Sequence, residues 1–332
     1  MKKILVTGAD GFIGSHMVEK LVEQGFAVKA LTHYNSFNSW GWIENLSQKV
    51  IKELEIVPGD IRDSFFVHKL VKDCSHVIHL AALIAIPYSY RASLSYIETN
   101  IVGTHNLLQA CKLFGIDRFI HTSTSEVYGT AKYVPIDEKH PLQGQSPYSA
   151  SKIGADQLAF SFYSSYELPI VIVRPFNTFG PRQSARAFIP TVITQCLEGL
   201  KKIRLGSLEP TRDFSYIDDT TEGFLKILNS TRGHGSTFNL GSGFEISMKD
   251  TASRIINIIN PEIKIEHDKS RLRPITSEVK RLLSCNKLAM DTFNWKPKYA
   301  TVDGFDAALK ETIEWFSDDT NRKLYKSHLY NE

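Results

Sequence analysis

Gly8, Gly11 and Gly14 fall at three-residue intervals, directly after the β-branched run at residues 4–6 and at the start of a helix-periodic segment, residues 14–24. A strand that turns at once into a helix needs residues without a Cβ where the two backbones close up. The free amides at the helix start then attract a diphosphate. The spacing is G-x-x-G-x-x-G, not G-x-G-x-x-G, and a tight turn with no ligand would use glycines too. The strand before and the helix after carry the reading. Gly8, Gly11, Phe12, Ile13 and Gly14 are thus the first candidate contacts for a dinucleotide cofactor.

The rest of the first half repeats that alternation. Short apolar runs at residues 27–31, 55–57, 76–79, 119–123 and 170–173 are expected strands, and helical spacing marks residues 63–73, 95–114 and 148–166. This pattern predicts an α/β chain, a Rossmann-like doubly wound parallel sheet. Ile97, Ile101, Leu108 and Cys111 are expected to line one helix face. At 332 residues the chain exceeds what one core ordinarily holds. Beyond Pro175 the alternation weakens and Pro181, Pro190, Pro210 and Pro274 punctuate shorter elements, so a second, smaller α/β lobe is expected from near Gly180. Residues 304–316 again read as helix, followed by a polar tail.

A formal charge of +3 from 39 basic and 36 acidic residues argues against nucleic acid as a partner. Cys74, Cys111, Cys196 and Cys285 are scattered, which reads as reduced packing residues rather than a metal site. The basic start Met1-Lys2-Lys3 is followed by too short an apolar run for a signal peptide, and no stretch reaches the ~18 apolar residues of a membrane span. A cytoplasmic enzyme with no membrane partner is expected.

A carboxylate at the end of the second strand would accept both ribose hydroxyls of NAD and repel the extra phosphate of NADP. Thr32, His33, Tyr34, Asn35 and Ser36 stand there instead, so His33, Asn35 and Ser36 are candidate contacts and NAD+ or NADP+ stays open. Asp60 and Ile61 are placed to border an adenine, and Ala81 and Ala82 a nicotinamide ribose; plain loop structure explains them equally well. Tyr148 and Lys152 lie four residues apart, on one helix face, where the ammonium would lower the phenol pKa and make it a base toward a sugar hydroxyl. Y-x-x-x-K alone is common. Joined to the glycine turn and to Thr122-Ser123-Thr124-Ser125-Glu126 at the end of another strand, it is hard to explain as packing.

Together these residues resemble the extended short-chain dehydrogenases/reductases, the NAD-dependent epimerase/dehydratase family, from Thr7-Gly8 to Trp315. The resemblance implies a catalytic set of Thr124, Tyr148 and Lys152, with a tightly bound NAD+ or NADP+ regenerated each turnover. Glu126 matches the glutamate by which 4,6-dehydratases take a C5 proton, whereas epimerases have a small or apolar residue there. Ser125 departs from the aspartate-glutamate pair of dTDP-glucose dehydratases and resembles the serine-glutamate pair of GDP-mannose dehydratases and UDP-xylose synthases. The implied reaction is internal: hydride leaves C4 as Tyr148 takes the hydroxyl proton, Glu126 removes the C5 proton, water leaves C6 with help from Ser125 or an ordered water, and the hydride returns at C6.

The same resemblance places Asn177, Arg182, Arg212 and Arg273 on a nucleotide-sugar substrate, although each arginine alone is more often a surface ion-pair partner. It implies a dinucleotide domain over residues 1–178, rejoined by 215–240, and a nucleotide-sugar lobe over 179–214 and 241–330. Residues 34–42, with Arg271-Leu272-Arg273-Pro274 and Ser277-Glu278-Val279, look like the N-acetylglucosamine 4,6-dehydratases of legionaminic acid biosynthesis, with UDP or GDP undecided. The bland reading of Trp40 and Trp42 is a cap on the cofactor domain. A homodimer through residues 95–114 and 148–166 is implied as well. The rivals are UDP-glucuronate decarboxylation, 4-epimerisation, and a non-catalytic NAD(P)-sensing regulator, which would need none of Thr124, Glu126, Tyr148 and Lys152.

Overall fold

The computed structural model describes residues 3–274 and 276–326, so Met1, Lys2 and the end of the polar tail lie outside the described residues. Strands β1 (Lys3–Thr7), β2 (Val28–His33), β3 (Leu54–Gly59), β4 (Cys74–His79), β5 (Arg118–Thr122) and β6 (Ile170–Pro175) occupy the first half. Helices α1 (Phe12–Glu23), α2 (Ser64–Val71), α3 (Gly103–Phe114) and α4 (Pro147–Tyr166) connect them. The chain continues through β7 (Asn177–Phe179), α5 (Phe188–Leu197), β8 (Lys202–Leu205), β9 (Thr211–Tyr216), α6 (Ile217–Leu228) and β10 (Ser236–Leu240). It ends with β11 (Glu245–Ser247), α7 (Met248–Ile259), β12 (Lys264–His267), α8 (Lys287–Phe293) and α9 (Val302–Ser317).

Seven strands form one parallel sheet in the order β10-β6-β5-β4-β1-β2-β3. Side chains alternate across a strand, so neighbouring residues feed opposite cores. Ile4, Val6, Val28, Ala30, Ile120, Val171 and Val173 pack with Met17, Val18 and Leu21 of α1 and Phe224 of α6. Leu5, Leu31, Val77, Phe119 and Ile172 face the other way, toward α2, α3 and α4. Each fully buried Leu, Ile or Phe contributes roughly 1.5–3 kcal/mol, which is why this doubly wound arrangement, as expected from the alternation, holds.

A further core joins the three-stranded sheet β11-β9-β7 and the pair β12-β8 to α5, α7 and α9, through Phe179, Ile193, Ile203, Phe214, Ile255, Phe305 and Leu309. Phe12 and Ile13 pack against it. No helix among the described residues is long and apolar enough to cross a membrane.

The helix expected at residues 95–114 is not continuous α-helix. Ile97–Val102 forms a π turn, whose extra residue shifts the preceding side chains about a quarter turn out of phase. Leu108 and Cys111 are buried, whereas Ile97 is 47% exposed, so the four residues do not share one face. The π turn also aims Asn100 inward, where its amide donates to Ser151 Oγ at 2.9 Å and to Leu83 O at 3.0 Å.

Candidate active site

In open parallel sheets ligands bind beyond the carboxyl ends of the strands, where the strand order reverses. Here the reversal lies between β1 and β4. Gly8, at φ +68°, belongs to that crevice: an added Cβ would stand 2.8 Å from the Ala81 amide nitrogen. A Cβ on Gly14 would stand 2.0 Å from Gly8 O, so the start of α1 rests on the loop backbone. Gly11 caps α1 without any side-chain hydrogen bond, which leaves the first amides of the helix for an anion. These features fit a dinucleotide diphosphate. Phe12 and Ile13 offer it backbone only, because their side chains pack against the second core.

The other candidate cofactor contacts divide. Ala81 N donates to Thr7 Oγ1 at 3.1 Å, in a chain that runs through His79 Nδ1 at 2.8 Å and on from His79 Nε2 to Thr104 Oγ1 at 2.9 Å. His79 is fully buried, and burial holds its pKa well below the ordinary value. Ala82 continues the same loop without regular structure. Asp60 binds Arg62 Nε and Nη2 at 2.9 and 2.6 Å, and the Arg62 contact holds its carboxyl below the usual range. Ile61 is buried against Gly103. Asp60, Arg62, Asp63, Glu98 and Val102 line an open cavity of about 490 Å³. Asn35 is spent on its own loop: Nδ2 donates to His33 O and Ser39 O, and Oδ1 accepts from Phe37 N and Ser39 N. His33 and Ser36 are exposed.

The catalytic candidates come together between β5 and α4. Ser146 and Ser149 cap α4 reciprocally and Pro147 opens it, which sets Tyr148 in the first turn and Lys152 one turn on. Thr124 caps the short 3₁₀ turn Ser125–Tyr128, accepting from Glu126 N at 3.3 Å. Tyr148 is buried against Tyr96, with ring centroids 6.2 Å apart. Burial pushes its phenol above the ordinary value, the Thr124 hydroxyl opposes this, and the Glu126 carboxylate adds to it. This corrects the expectation of a phenol lowered by Lys152. The ammonium instead donates to Thr122 O at 2.7 Å, and burial pushes Lys152 down to about 8 while Asp156 opposes.

Ser125 is buried and Glu126 half-buried, with no ion pair to the Glu126 carboxylate among the described residues. Burial lowers the pKa of the Arg212 guanidinium, and the Glu126 charge raises it, as it also raises that of the Tyr148 phenol. Arg212 Nη2 reaches Glu278 Oε1 at 3.3 Å and Arg273 Nη1 lies 3.8 Å from the same oxygen, so the two arginines form one group. Asn177 Oδ1 and Arg273 Nη1 are among the buried atoms that have no hydrogen-bond partner among the described residues. Arg182 is not part of this group. It pairs with Glu19 of α1 at 2.7 Å.

Some of the site was missed from sequence. Asp156 stands four residues after Lys152, fully buried, and accepts from Ser123 Oγ at 2.9 Å and Arg174 Nη2 at 2.9 Å, with His121 Nε2 at 3.2 Å. The Y-x-x-x-K-x-x-x-D spacing was the available signal. Trp42 is T-shaped on Trp315, with ring centroids 5.5 Å apart, and also meets Tyr325, so it ties the loop after β2 to α9. Among the described residues no cluster of three or more His, Cys, Asp or Glu could hold a metal.

Comparison with known proteins agrees with this geometry. A family profile described as GDP-mannose 4,6 dehydratase matches residues 5–308. The human dTDP-D-glucose 4,6-dehydratase is 32% identical over 327 residues, 96% of this chain and 91% of that protein. The UDP-N-acetylglucosamine 4-epimerase of Methanobrevibacter ruminantium, solved with UDP-N-acetylmuramic acid, superposes with TM-score 0.84 at 31% identity, covering 95% of this chain and 98% of the other. The dTDP-glucose 4,6-dehydratase DesIV of Streptomyces venezuelae, crystallised as a double mutant with NAD bound, gives TM-score 0.83 at 25% identity, covering 98% and 99%. With the glycine crevice, the Tyr148–Lys152 turn and this match along nearly its whole length, the chain belongs to the NAD-dependent epimerase/dehydratase family of extended short-chain dehydrogenases/reductases.

Proposed function

We propose that the chain is a nucleotide-sugar 4,6-dehydratase that turns UDP- or GDP-N-acetylglucosamine into the 4-keto-6-deoxy sugar, a step suited to legionaminic acid biosynthesis. The observation that carries this reading is Glu126, a half-buried carboxylate without an ion pair among the described residues, one residue past Ser125 and close enough for its charge to act on both the Tyr148 phenol and Arg212. Gly8, Gly11 and Gly14 would hold the diphosphate of a nicotinamide dinucleotide, which when bound would supply the hydride acceptor for C4 and the donor for C6. Tyr148 takes the C4 hydroxyl proton, with Thr124 as its hydrogen-bonding neighbour and Lys152 supplying positive charge. Glu126 takes the C5 proton, and Ser125 donates toward the departing C6 hydroxyl. Arg212 and Arg273 hold the diphosphate, while the orphaned Asn177 oxygen, an acceptor, suits a hydroxyl or N–H of the sugar nucleotide.

In this reading residues 1–178 and 215–240 serve the dinucleotide, and residues 179–214 and 241–330 the sugar nucleotide. Arg182, paired with Glu19, supports the lobe contact rather than the ligand. The exposed apolar side chains Leu94, Ile97, Val102 and Phe160 suit a homodimer built on the π turn, α3 and α4. Similarity to an epimerase structure favours a second reading, 4-epimerisation. Mass spectrometry separates them: incubation with UDP- or GDP-N-acetylglucosamine should yield a product lighter by one water. A chromatographically distinct isomer of unchanged mass would make the chain an epimerase, and loss of carbon dioxide from a glucuronate would make it a decarboxylase.

A further inference from the structure

The end of β2 lacks an acidic side chain, but a carboxylate reaches that place from another element. We propose that Asp10, inside the glycine turn, selects NAD+ over NADP+; this rests on reading that turn as the dinucleotide site. Asp10 Oδ2 accepts from His33 N at 3.2 Å, at the last residue of β2. The loop after β2 is folded around it: Trp42 N donates to Asp10 O at 3.0 Å, and an added Cβ on Gly41, at φ +57°, would stand 2.6 Å from that oxygen. The glycine turn is laced to β2 on its other side by Ala9 N to Leu31 O at 3.0 Å.

The surroundings leave a 2′-phosphate without a counter-charge. Residues 32–46 contain no lysine or arginine. Asn35 has both amide hydrogens engaged by backbone carbonyls. Arg62, at the end of the neighbouring strand, is held by two contacts to Asp60, and the Asp60 charge in turn feels His33. The corner therefore carries one carboxylate not held in an ion pair among the described residues, Asp10, beside an Asp60–Arg62 pair whose charges cancel. A phosphate bearing roughly −1.5 to −2 charges is repelled there, whereas a ribose diol donates hydrogen bonds to a carboxylate.

Titration calorimetry on the full-length protein, freed of endogenous dinucleotide with charcoal, tests this with NAD+ and NADP+ themselves. NAD+ should bind about a hundredfold more tightly. Asp10→Asn keeps an acceptor for His33 N and removes the charge, so the NAD+/NADP+ ratio should shrink about tenfold or more. Asp10→Ser serves the same end if the amide disturbs the turn, and an unchanged melting temperature shows that the fold persists. Equal affinity of the wild type for both dinucleotides, or an undiminished ratio in both variants, overturns the proposal. Binding of neither dinucleotide would instead overturn the reading of the glycine turn itself.

Discussion

The proposed catalytic end and the proposed sugar-nucleotide end of the crevice are built differently. Around α4 the charged groups are matched: Lys152 holds Thr122 O, Asp156 holds Ser123, His121 and Arg174, and Arg174 Nη1 reaches the Tyr128 hydroxyl at 3.0 Å, which itself donates to Asn239 at 2.7 Å. Only the neutral His121 Nδ1 and Thr122 Oγ1 are buried without a partner among the described residues there. Beside Arg212 the matching is loose. Arg273 stands 3.8 Å from Glu278, and Asn177 Oδ1 and Arg273 Nη1 are buried without partners. An unpaired buried polar atom costs about 1–3 kcal/mol; a diphosphate would relieve that cost at Arg273 Nη1, and a ligand hydroxyl or N–H would relieve it at Asn177 Oδ1. The contrast lies in the charges: those around α4 are neutralised by the protein itself, whereas Arg273 keeps an N–H free of any hydrogen-bond partner among the described residues, as the proposed diphosphate contact requires.

Substitutions sharpen this contrast in descending order of effect. Tyr148→Phe should lower kcat by about 10²–10⁴-fold while calorimetry still finds the dinucleotide bound, since general-base loss has that size; activity near wild type would remove Tyr148 from the mechanism. Asp156→Asn should destabilise by about 3 kcal/mol, because it leaves Arg174 buried beside a neutral amide. Chemical denaturation measures this, and a loss below about 1 kcal/mol would mean that α4 is not held by this network. Arg273→Ala should raise KM about tenfold with kcat changed less than about twofold, as expected for uniform binding; a selective fall in kcat would place Arg273 with the reacting groups.

A pH slope tests the same network by titration. The Lys152 pKa falls from 10.5 in the unfolded chain to about 8 in the folded one. Between those values the unfolded chain binds the extra proton, so stability rises with pH across that window, by at most about 1.4 kcal/mol per unit. Lys152→Met should flatten this part of the profile, read as denaturation midpoints across the same window. An unaltered slope would show that Lys152 is not the titrating group.

How much of this was legible depended on sequence distance. The glycine turn, the strand–helix alternation and the Tyr148–Lys152 spacing are local periodicities, and the sequence shows them directly. The Asp10–His33 contact spans 23 residues and the Arg212–Glu278 contact 66, and no periodicity links residues so far apart. Asn35 looked like a ligand donor because the chain cannot show that its amide closes its own loop. The π turn was hidden because one inserted residue changes the phase of a helix without changing its composition. Burial, which raises the Tyr148 phenol, likewise comes from Tyr96, 52 positions away in the chain, and from Ile86 and Leu83 beside it.

The central claim is that Glu126 removes the C5 proton. Glu126→Gln leaves Tyr148, Lys152 and the glycine crevice intact and replaces the carboxylate with a near-isosteric amide. Mixed with nucleotide-activated N-acetylglucosamine in deuterated buffer, the variant should build up the near-ultraviolet absorbance of reduced nicotinamide, because C4 oxidation proceeds and elimination stalls. Substrate recovered from it should carry no deuterium at C5, whereas wild-type product should carry one. Turnover at the wild-type rate, with deuterium at C5 and no reduced nicotinamide, would contradict the account by making another group the C5 base, and turnover to an isomer without deuterium at C5 would reopen the epimerase reading.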